Sequence, residues 1–294
     1  MILESKETAT RNSEVDPNNG TAAYRIIKDL AADLSSGDLN LPSLPEVVVL
    51  IRAALDRDDC DSEQIADLVA SEPILAGTLL KIANSVTYRR SGAETASLVT
   101  SVARLGMKLV RSVSIQFALQ QLRKAEDFRC IQHLLDPEWE RSHVVAGLCH
   151  ALARHTRRAH PDEMLTLGLV HNIGRIYILS RDGVVDEIGA GNYDEVLDEW
   201  HPIIGSAIAE SWNLPEQAAQ AIGQQCTPDD QQDFAHDTND LLGLAVAIAA
   251  AEQTGELEPE AILALPQAKR LNVNETMLAS VREEARDFGE LLAE

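Results

Sequence analysis

Apolar residues recur every three or four positions through most of the sequence, which is the spacing of an amphipathic helix. The first clear series is Tyr24, Ile27, Leu30, Ala31 and Leu34, and it ends at Ser-Ser-Gly. Strand-like alternation bounded by hairpin turns is almost absent. The pattern therefore predicts an all-α protein, a helical bundle with short connections.

Proline and capping residues mark where individual helices begin. Pro45, Pro73 and Pro161 are placed where a first helical turn tolerates proline, and Asp61 is of a type that caps helix N-termini. From such signals the sequence predicts further helices over 95–105, 107–124, 137–155, 161–181, 201–212, 215–224, 237–253 and from 274 to the C-terminus.

The segment 161–181 is apolar nearly all round, which is typical of a helix at the centre of a bundle. It contains the sharpest local motif of the chain, Gly168-Leu-Val-His171-Asn172-Ile-Gly174. A histidine in such surroundings is more often hydrogen-bonded within the core than bound to a metal. We therefore expect His171 to be a core residue, with metal ligation as the alternative.

The pattern divides the chain into three parts. Residues 1–20 are polar and aperiodic, which predicts a flexible N-terminal tail; residues 21–235 form the main helical domain; and residues 236–294 form a helical extension that packs on the bundle. The last helix could cap the bundle or mediate a dimer, and capping is favoured. The N-terminus lacks the layout of a signal peptide, and no apolar run approaches the length of a membrane span, so a cytoplasmic protein is expected.

The distribution of charge along the chain limits which binding partners are expected. The 294 residues include 25 Lys and Arg against 47 Asp and Glu, a formal charge of -22, which disfavours non-specific binding to nucleic acid or to an anionic membrane. Residues 136–294 carry -19 of this charge, whereas residues 73–129 hold nine basic and three acidic groups. That basic segment could bind an anionic ligand or an acidic partner, although pairing with the acidic half of the same chain is favoured. Arg89 and Arg90 precede a Ser-Gly loop, so they are expected to be the residues of this segment that are free of partners within the chain.

Five ordered blocks of the sequence resemble the HDOD family, the HD-related output domain of bacterial signalling proteins. The resemblance extends over about residues 38–228, and Trp212-Asn-Leu-Pro215 in the last block is similar to the family's W-x-L-P turn. The blocks are LPSLPEVV (41–48), SEPILAGTLLKIANSVTY (71–88), SLVTSVARLGMKLVRSVSIQFAL (97–119), GLVHNIGRIYIL (168–179) and HPIIGSAIAESWNLPEQAAQAI (201–222).

The resemblance implies a helical core of the HD type from which the metal ligands have been lost. In an HD hydrolase a His-Asp pair helps to bind a metal that activates water. Here position 172 is Asn, and Arg141 stands where the first ligand histidine of the H-S-x-x-V-A pattern would be. The run Gly223-Gln-Gln-Cys226 also lacks the histidine pair that often follows the W-x-L-P turn. The resemblance therefore implies no metal, no cofactor and no catalytic residues.

The remaining histidines offer little support for a metal site. His143 and His150 are seven residues apart on one helix, about 10.5 Å along its axis, which is too far for both to bind one ion. We expect both on a partly exposed face. His201 precedes Pro202 and is expected to open a helix and tether the preceding loop.

The sequence thus favours a non-catalytic signal-transduction module that binds a protein partner or a small signal, and a small anionic ligand is one candidate for that signal. The candidate binding residues are Asn84, Tyr88, Arg89, Arg90, Arg141, His171 and Asn172. One alternative is a divergent metal-dependent HD-type phosphohydrolase that uses His171 and acts on a nucleotide or a cyclic dinucleotide. Another is a structural oligomer built on the C-terminal helices, whose removal would leave a folded monomeric core.

Overall fold

The computed structural model describes residues 32, 45–57, 59–89, 93–124, 128–181, 193–212, 214–225, 237–255 and 258–293. Within these residues the secondary structure is helical, as the hydrophobic pattern predicts, and no strand occurs. The predicted tail, residues 1–20, and the candidate Arg90 lie outside the described residues.

The helices fall into an N-terminal and a C-terminal series. The first series is α1 (Glu46–Leu55), α2 (Ser62–Ala70), α3 (Pro73–Asn84), α4 (Val86–Arg89), α5 (Leu98–Leu105) and α6 (Met107–Arg123). The second is α7 (Gln132–Thr156), α8 (Pro161–Val170), α9 (Ile173–Leu179), α10 (Tyr193–Ser211), α11 (Glu216–Gln224), α12 (Asp237–Thr254), α13 (Pro259–Ala264), α14 (Pro266–Arg270) and α15 (Glu275–Ala293).

Local signals in the sequence explain several helix starts. The Asp61 side chain accepts hydrogen bonds from the backbone N–H groups of Glu63 and Gln64, so it caps α2 as expected. Pro73 and Pro161 occupy the first turns of α3 and α8, where no intrahelical donor is lost.

The long helix α7 is the central element, and α8 and α15 make the most extensive contacts with it. Every residue from Met164 to Leu179 is buried, which confirms that this apolar segment lies in the middle of the bundle. It is not one helix, however: α8 ends at Val170 and α9 begins at Ile173. The hydrophobic pattern missed the break because both halves are buried on all sides.

Two other predicted helix starts are wrong because proline does not begin the helix. Helix α7 begins at Gln132 and includes Pro137, since the fully buried Leu135 already anchors the preceding turn. Helix α10 begins at Tyr193, so His201 and Pro202 lie inside it. His201 therefore does not open a helix; it is a buried residue.

The C-terminal helix α15 packs along α7. A Cβ added to Gly147 of α7 would lie 2.6 Å from the carbonyl oxygen of Ala285, so glycine allows the two backbones to approach closely. Val281 and Phe288 are buried in this contact region. No described helix combines the length and apolar character that crossing a membrane requires.

Candidate functional site

The break between α8 and α9 places His171 and Asn172 at a helix junction in the core, where both are at most 2% exposed. The next helix, α10, approaches this junction very closely. A Cβ on Gly174 would lie 2.1 Å from the carbonyl oxygen of His201, so any other residue at position 174 would separate the helices. Gly174 thus holds α10 against the junction.

Both ends of the Asn172 amide are used in hydrogen bonds. Its Nδ2 group donates to the carbonyl oxygen of Glu138 at 2.8 Å and to the Glu138 carboxylate Oε2 at 3.0 Å. Its Oδ1 accepts a hydrogen bond from the Ser142 hydroxyl at 2.6 Å. An aspartate could not donate to Glu138, so these contacts specifically require the amide.

Arg175 completes a charged network beside Asn172 that is buried at Glu138 and exposed at Asp198. Its Nε donates to Glu138 Oε1 at 2.8 Å, and its guanidinium also pairs with Asp198 of α10. The side chains of Arg175 and Glu138 are only 7% and 8% exposed, so their charges compensate each other in a low-dielectric setting. We call Glu138, Ser142, Asn172, Arg175 and Asp198 the amide–arginine network.

The two histidines at this centre are held in the neutral form. Burial lowers the pKa of His171 to about 4 and that of His201 to about 3, and the positive charges of Arg141 and Arg175 act in the same direction. His171 Nδ1 donates to the carbonyl oxygen of Gly168 at 2.7 Å, because a carbonyl can only accept. His171 is therefore hydrogen-bonded within the core, as expected.

Arg141 lies at the edge of this centre. It influences the pKa of both histidines, and its guanidinium donates to Gln253 Oε1 of α12 at 3.3 Å. The structure thus brings together three of the sequence-derived candidates, Arg141, His171 and Asn172. Within the described residues, no group of three or more His, Cys, Asp or Glu side chains is arranged to hold a metal ion.

The other candidates lie elsewhere. Asn84 exchanges two hydrogen bonds with the backbone of Thr95, at 2.8 and 2.9 Å, and so fixes the segment before α5. Tyr88 and Arg89 line a cavity of about 470 Å³ between α4, α5 and the α7–α8 connection. Arg104, His150, Arg154, His160 and Asp162 line it too.

Several charged residues in the wall of this cavity contact other residues of the same chain. Arg89 pairs with Glu94 at 2.7 Å, so the expectation that it is free is wrong. Arg154 pairs with Glu284, and Arg104 donates to the carbonyl oxygens of Ala83 and Ala93. An anion entering here would have to compete with these contacts.

Three basic residues of the segment 73–129 form ion pairs with acidic residues outside it, from both halves of the chain. Lys108 pairs with Glu163 and Arg123 with Asp136, as the favoured interpretation expects. Arg111 instead pairs with Asp56 of the N-terminal half, at 2.5 Å.

His150 does not lie on a partly exposed face as predicted. It is 2% exposed, and its ring stacks on Phe288 of α15 with the centroids 4.4 Å apart. Burial lowers its pKa to about 3. Helix α15 covers the side of α7 that carries His150. Because α15 lies more than a hundred residues away in sequence, the local pattern around His150 could not indicate this burial.

Sequence reasoning missed Glu138, Arg175 and Asp198. Glu138 precedes the H-S-x-x-V-A-like stretch by three residues and Asp198 lies on a different helix, so neither is part of the motif that drew attention. Arg175 directly follows Gly174 and lies one helical turn after His171. A basic residue at that spacing could have identified Arg175 as a candidate from the sequence.

Comparison with known proteins gives a consistent result. The family model for the HDOD domain matches residues 41–228. A crystal structure of a candidate metal-dependent phosphohydrolase from Shewanella amazonensis SB2B has a TM-score of 0.74 and 22% identity, over 92% of this chain and 99% of that one. An HDOD domain protein of unknown function from Geobacter sulfurreducens has a TM-score of 0.66 and 18% identity, over 96% and 99% of the two chains.

Two further relatives are longer than this chain. A candidate signal transduction protein from Marinobacter aquaeolei VT8 has a TM-score of 0.60 and 18% identity, and the match covers 96% of this chain and 68% of that one. An uncharacterized protein from Treponema pallidum (strain Nichols) is 25% identical over an alignment of 234 residues, and the match covers 76% of this chain but 44% of the relative.

Proposed function

The chain belongs to the HDOD family, and from that premise we propose that it is a non-catalytic signal-transduction module that acts by binding a protein partner or a small signal. The observation that carries the proposal is the amide–arginine network. By the sequence resemblance, Asn172 of this network corresponds to the aspartate of the His-Asp metal pair in an HD hydrolase, and this supports the proposal.

The hydrogen bonds of Asn172 support the loss of metal binding. A metal ligand must present a free lone pair, preferably on a charged carboxylate for a hard divalent cation. The Asn172 oxygen already accepts a hydrogen bond from Ser142, which leaves it one of its two lone pairs, and its nitrogen is bonded to Glu138. The neutral amide adds no negative charge to offset a cation.

The surrounding charges support the same conclusion. Arg141 places a permanent positive charge near His171 and His201, and this charge would repel a divalent cation. The carboxylate of Glu138 is already neutralised by Arg175. These residues therefore fit a metal ion poorly, and we derive no metal-dependent step.

A second candidate function is a divergent metal-dependent phosphohydrolase. Its support is the geometry of His171, whose Nδ1–H donates to a backbone carbonyl, because metal-ligating histidines are commonly oriented in this way. The Shewanella relative, by its name, belongs to this class. The likeness to that structure extends to the fold alone.

A hydrolysis assay separates the two functions. The full chain is incubated with Mn²⁺ and a panel of nucleotides and cyclic dinucleotides, beside His171→Ala and, as a control, His133→Ala, which alters an exposed histidine away from the centre. A non-catalytic module releases no product above the buffer blank. Turnover that His171→Ala abolishes and His133→Ala preserves would establish the hydrolase and overturn the proposal.

A further inference from the structure

The side of α1 that faces solvent is apolar. Val49 and Leu50 are 50% and 47% exposed, and Ala53 one turn later is exposed too. Arg52 is the one charged residue among positions 47–55, and it is buried. A helix at a protein surface normally presents polar residues to the solvent, so this face is typical of one that another apolar element covers. We call Val49, Leu50 and Ala53 the outer face of α1.

The neighbours of α1 in the bundle do not cover this face. The opposite side of the helix is the buried one: Val47, Val48 and Ile51 are at most 7% exposed, and α1 contacts α2 and α6. An element that covers the outer face must therefore approach from the solvent side.

The sequence just upstream of α1 contains an apolar stripe at helical spacing. Its positions are Tyr24, Ile27, Leu30, Ala31 and Leu34. These five lie outside the described residues, but Ala32 among them is described, and it is helical and exposed. With 3.6 residues per turn, position 32 lies on the side opposite the stripe. Its exposure is what a helix that buries the stripe requires.

The stripe and α1 match in length, and the chain between them is long enough to bring them together. Residues 24–34 would form a helix of about 16 Å, and α1, with 10 residues, is about 15 Å long. The connection, residues 35–44, can span at most about 35 Å. The upstream helix can therefore turn back and lie along α1, as in a helical hairpin.

Charge favours this segment over a second copy of the chain. Residues 24–34 contain two basic and two acidic residues, so they approach α1 without net repulsion. Two copies would each carry a formal charge of -22, which opposes their association. Docking within one chain also benefits from the high effective concentration that a short connection provides.

We propose that residues 24–34 form a helix whose apolar stripe docks on the outer face of α1. The segment precedes the region that the family model matches, which begins at residue 41, so it would add a helix to the HDOD core. A partner with a similar apolar stripe would reach α1 only by displacing this segment. The docking does not depend on whether the protein is catalytic, so its failure would leave the proposed function intact.

Hydrogen exchange of the full chain, followed by mass spectrometry, tests the docking with a change on one surface and a readout on the other. Leu50→Asp places a charge on the outer face, at a side chain too exposed to be needed for the core. We expect amide exchange in residues 24–34 to become about tenfold faster or more, because docking buries apolar side chains that the charge keeps apart. Ile74→Asp, the matched control on α3 at a residue 57% exposed, should leave this exchange unchanged.

A second pair of variants changes the segment itself. Leu30→Asp, on the stripe, should accelerate exchange in residues 24–34 to the same extent as Leu50→Asp, whereas Ala32→Asp, on the opposite side, should not. Unprotected amides in residues 24–34 of the parent chain, or protection that Leu50→Asp leaves intact, would overturn the inference. Protection lost on dilution, together with a dimer that dissociates, would also overturn it, because the outer face would then be covered by a second copy.

Discussion

At the scale of single residues, the hydrogen-bonding capacity of one side chain distinguishes this centre from an HD metal site. Asn172 donates two hydrogen bonds to Glu138, and Glu138 in turn compensates the charge of Arg175. The sequence alone could predict that position 172 lacks a carboxylate. It could not predict that Glu138 uses the amide nitrogen, because that contact joins residues 34 positions apart.

Asn172→Asp should destabilise the protein. The new carboxylate would lie about 3 Å from that of Glu138 with no donor between them. We expect a loss of about 3 kcal/mol in the free energy of unfolding at pH 7.5, measured by urea denaturation. The loss should shrink at lower pH, where one carboxyl group takes up a proton and becomes a donor.

A double-mutant cycle provides the control for Asn172→Asp. Glu138→Gln restores a donor opposite Asp, so the double variant should be more stable than the sum of the single changes predicts. Strict additivity of the two single effects would show that the two side chains do not interact as the structure indicates.

Buried histidines should make stability depend on pH. The pKa values of His150, His171 and His201 fall from 6.5 to between about 3 and 4 on folding, so below pH 6.5 the unfolded chain binds more protons than the folded one. The free energy of unfolding that these neutral histidines provide is complete above pH 6.5 and is lost as the pH falls towards their folded pKa values. The slope is at most about 1.4 kcal/mol per pH unit for each histidine.

His150→Phe tests this dependence at one site. Phenylalanine keeps the stacking on Phe288 but cannot titrate, so the slope of unfolding free energy between pH 6.5 and 5 should decrease by about one proton. His133→Gln, an exposed control, should leave the slope unchanged. An unaltered slope in His150→Phe would mean that this ring is protonated in the folded protein.

At the scale of helices, close backbone contacts position the elements around the centre. Their helical type follows from hydrophobic periodicity and capping residues, and the Asp61 cap and the central position of the apolar segment 161–181 were predicted correctly on that basis. The break at His171 and the early starts of α7 and α10 were not predicted, because local signals such as Pro137 and Pro202 were outweighed by tertiary packing. Hydrophobic periodicity cannot predict close contacts between helices, such as that of Gly174 with the backbone of His201.

Gly147→Ala should loosen α15 from α7. The added methyl group would lie 2.6 Å from the Ala285 carbonyl oxygen, so one helix must move. We expect a loss of about 2 kcal/mol in unfolding free energy and faster amide hydrogen exchange in α15. Gly77→Ala in α3, where a Cβ meets nothing within 4 Å, is the matched control and should be neutral or slightly stabilising. Equal effects of the two substitutions would contradict the close packing of α15.

At the scale of the whole molecule, charge and fold indicate how the protein acts. Residues 136–294 carry -19 of the formal charge of -22, so a partner that docks on this half should be basic, and its affinity should fall as salt rises. The HDOD fold supplies a helical core, and α15 lies beyond the region that the family model matches.

Metal content of the purified full-length protein tests the central claim most directly. The protein is incubated with Mn²⁺, Fe²⁺ or Zn²⁺, freed of unbound metal by gel filtration and analysed by mass spectrometry, with His171→Ala in parallel. A centre occupied by the amide–arginine network should retain far less than one ion per chain, and His171→Ala should change nothing. One or two ions per chain, lost in His171→Ala, would contradict the claim.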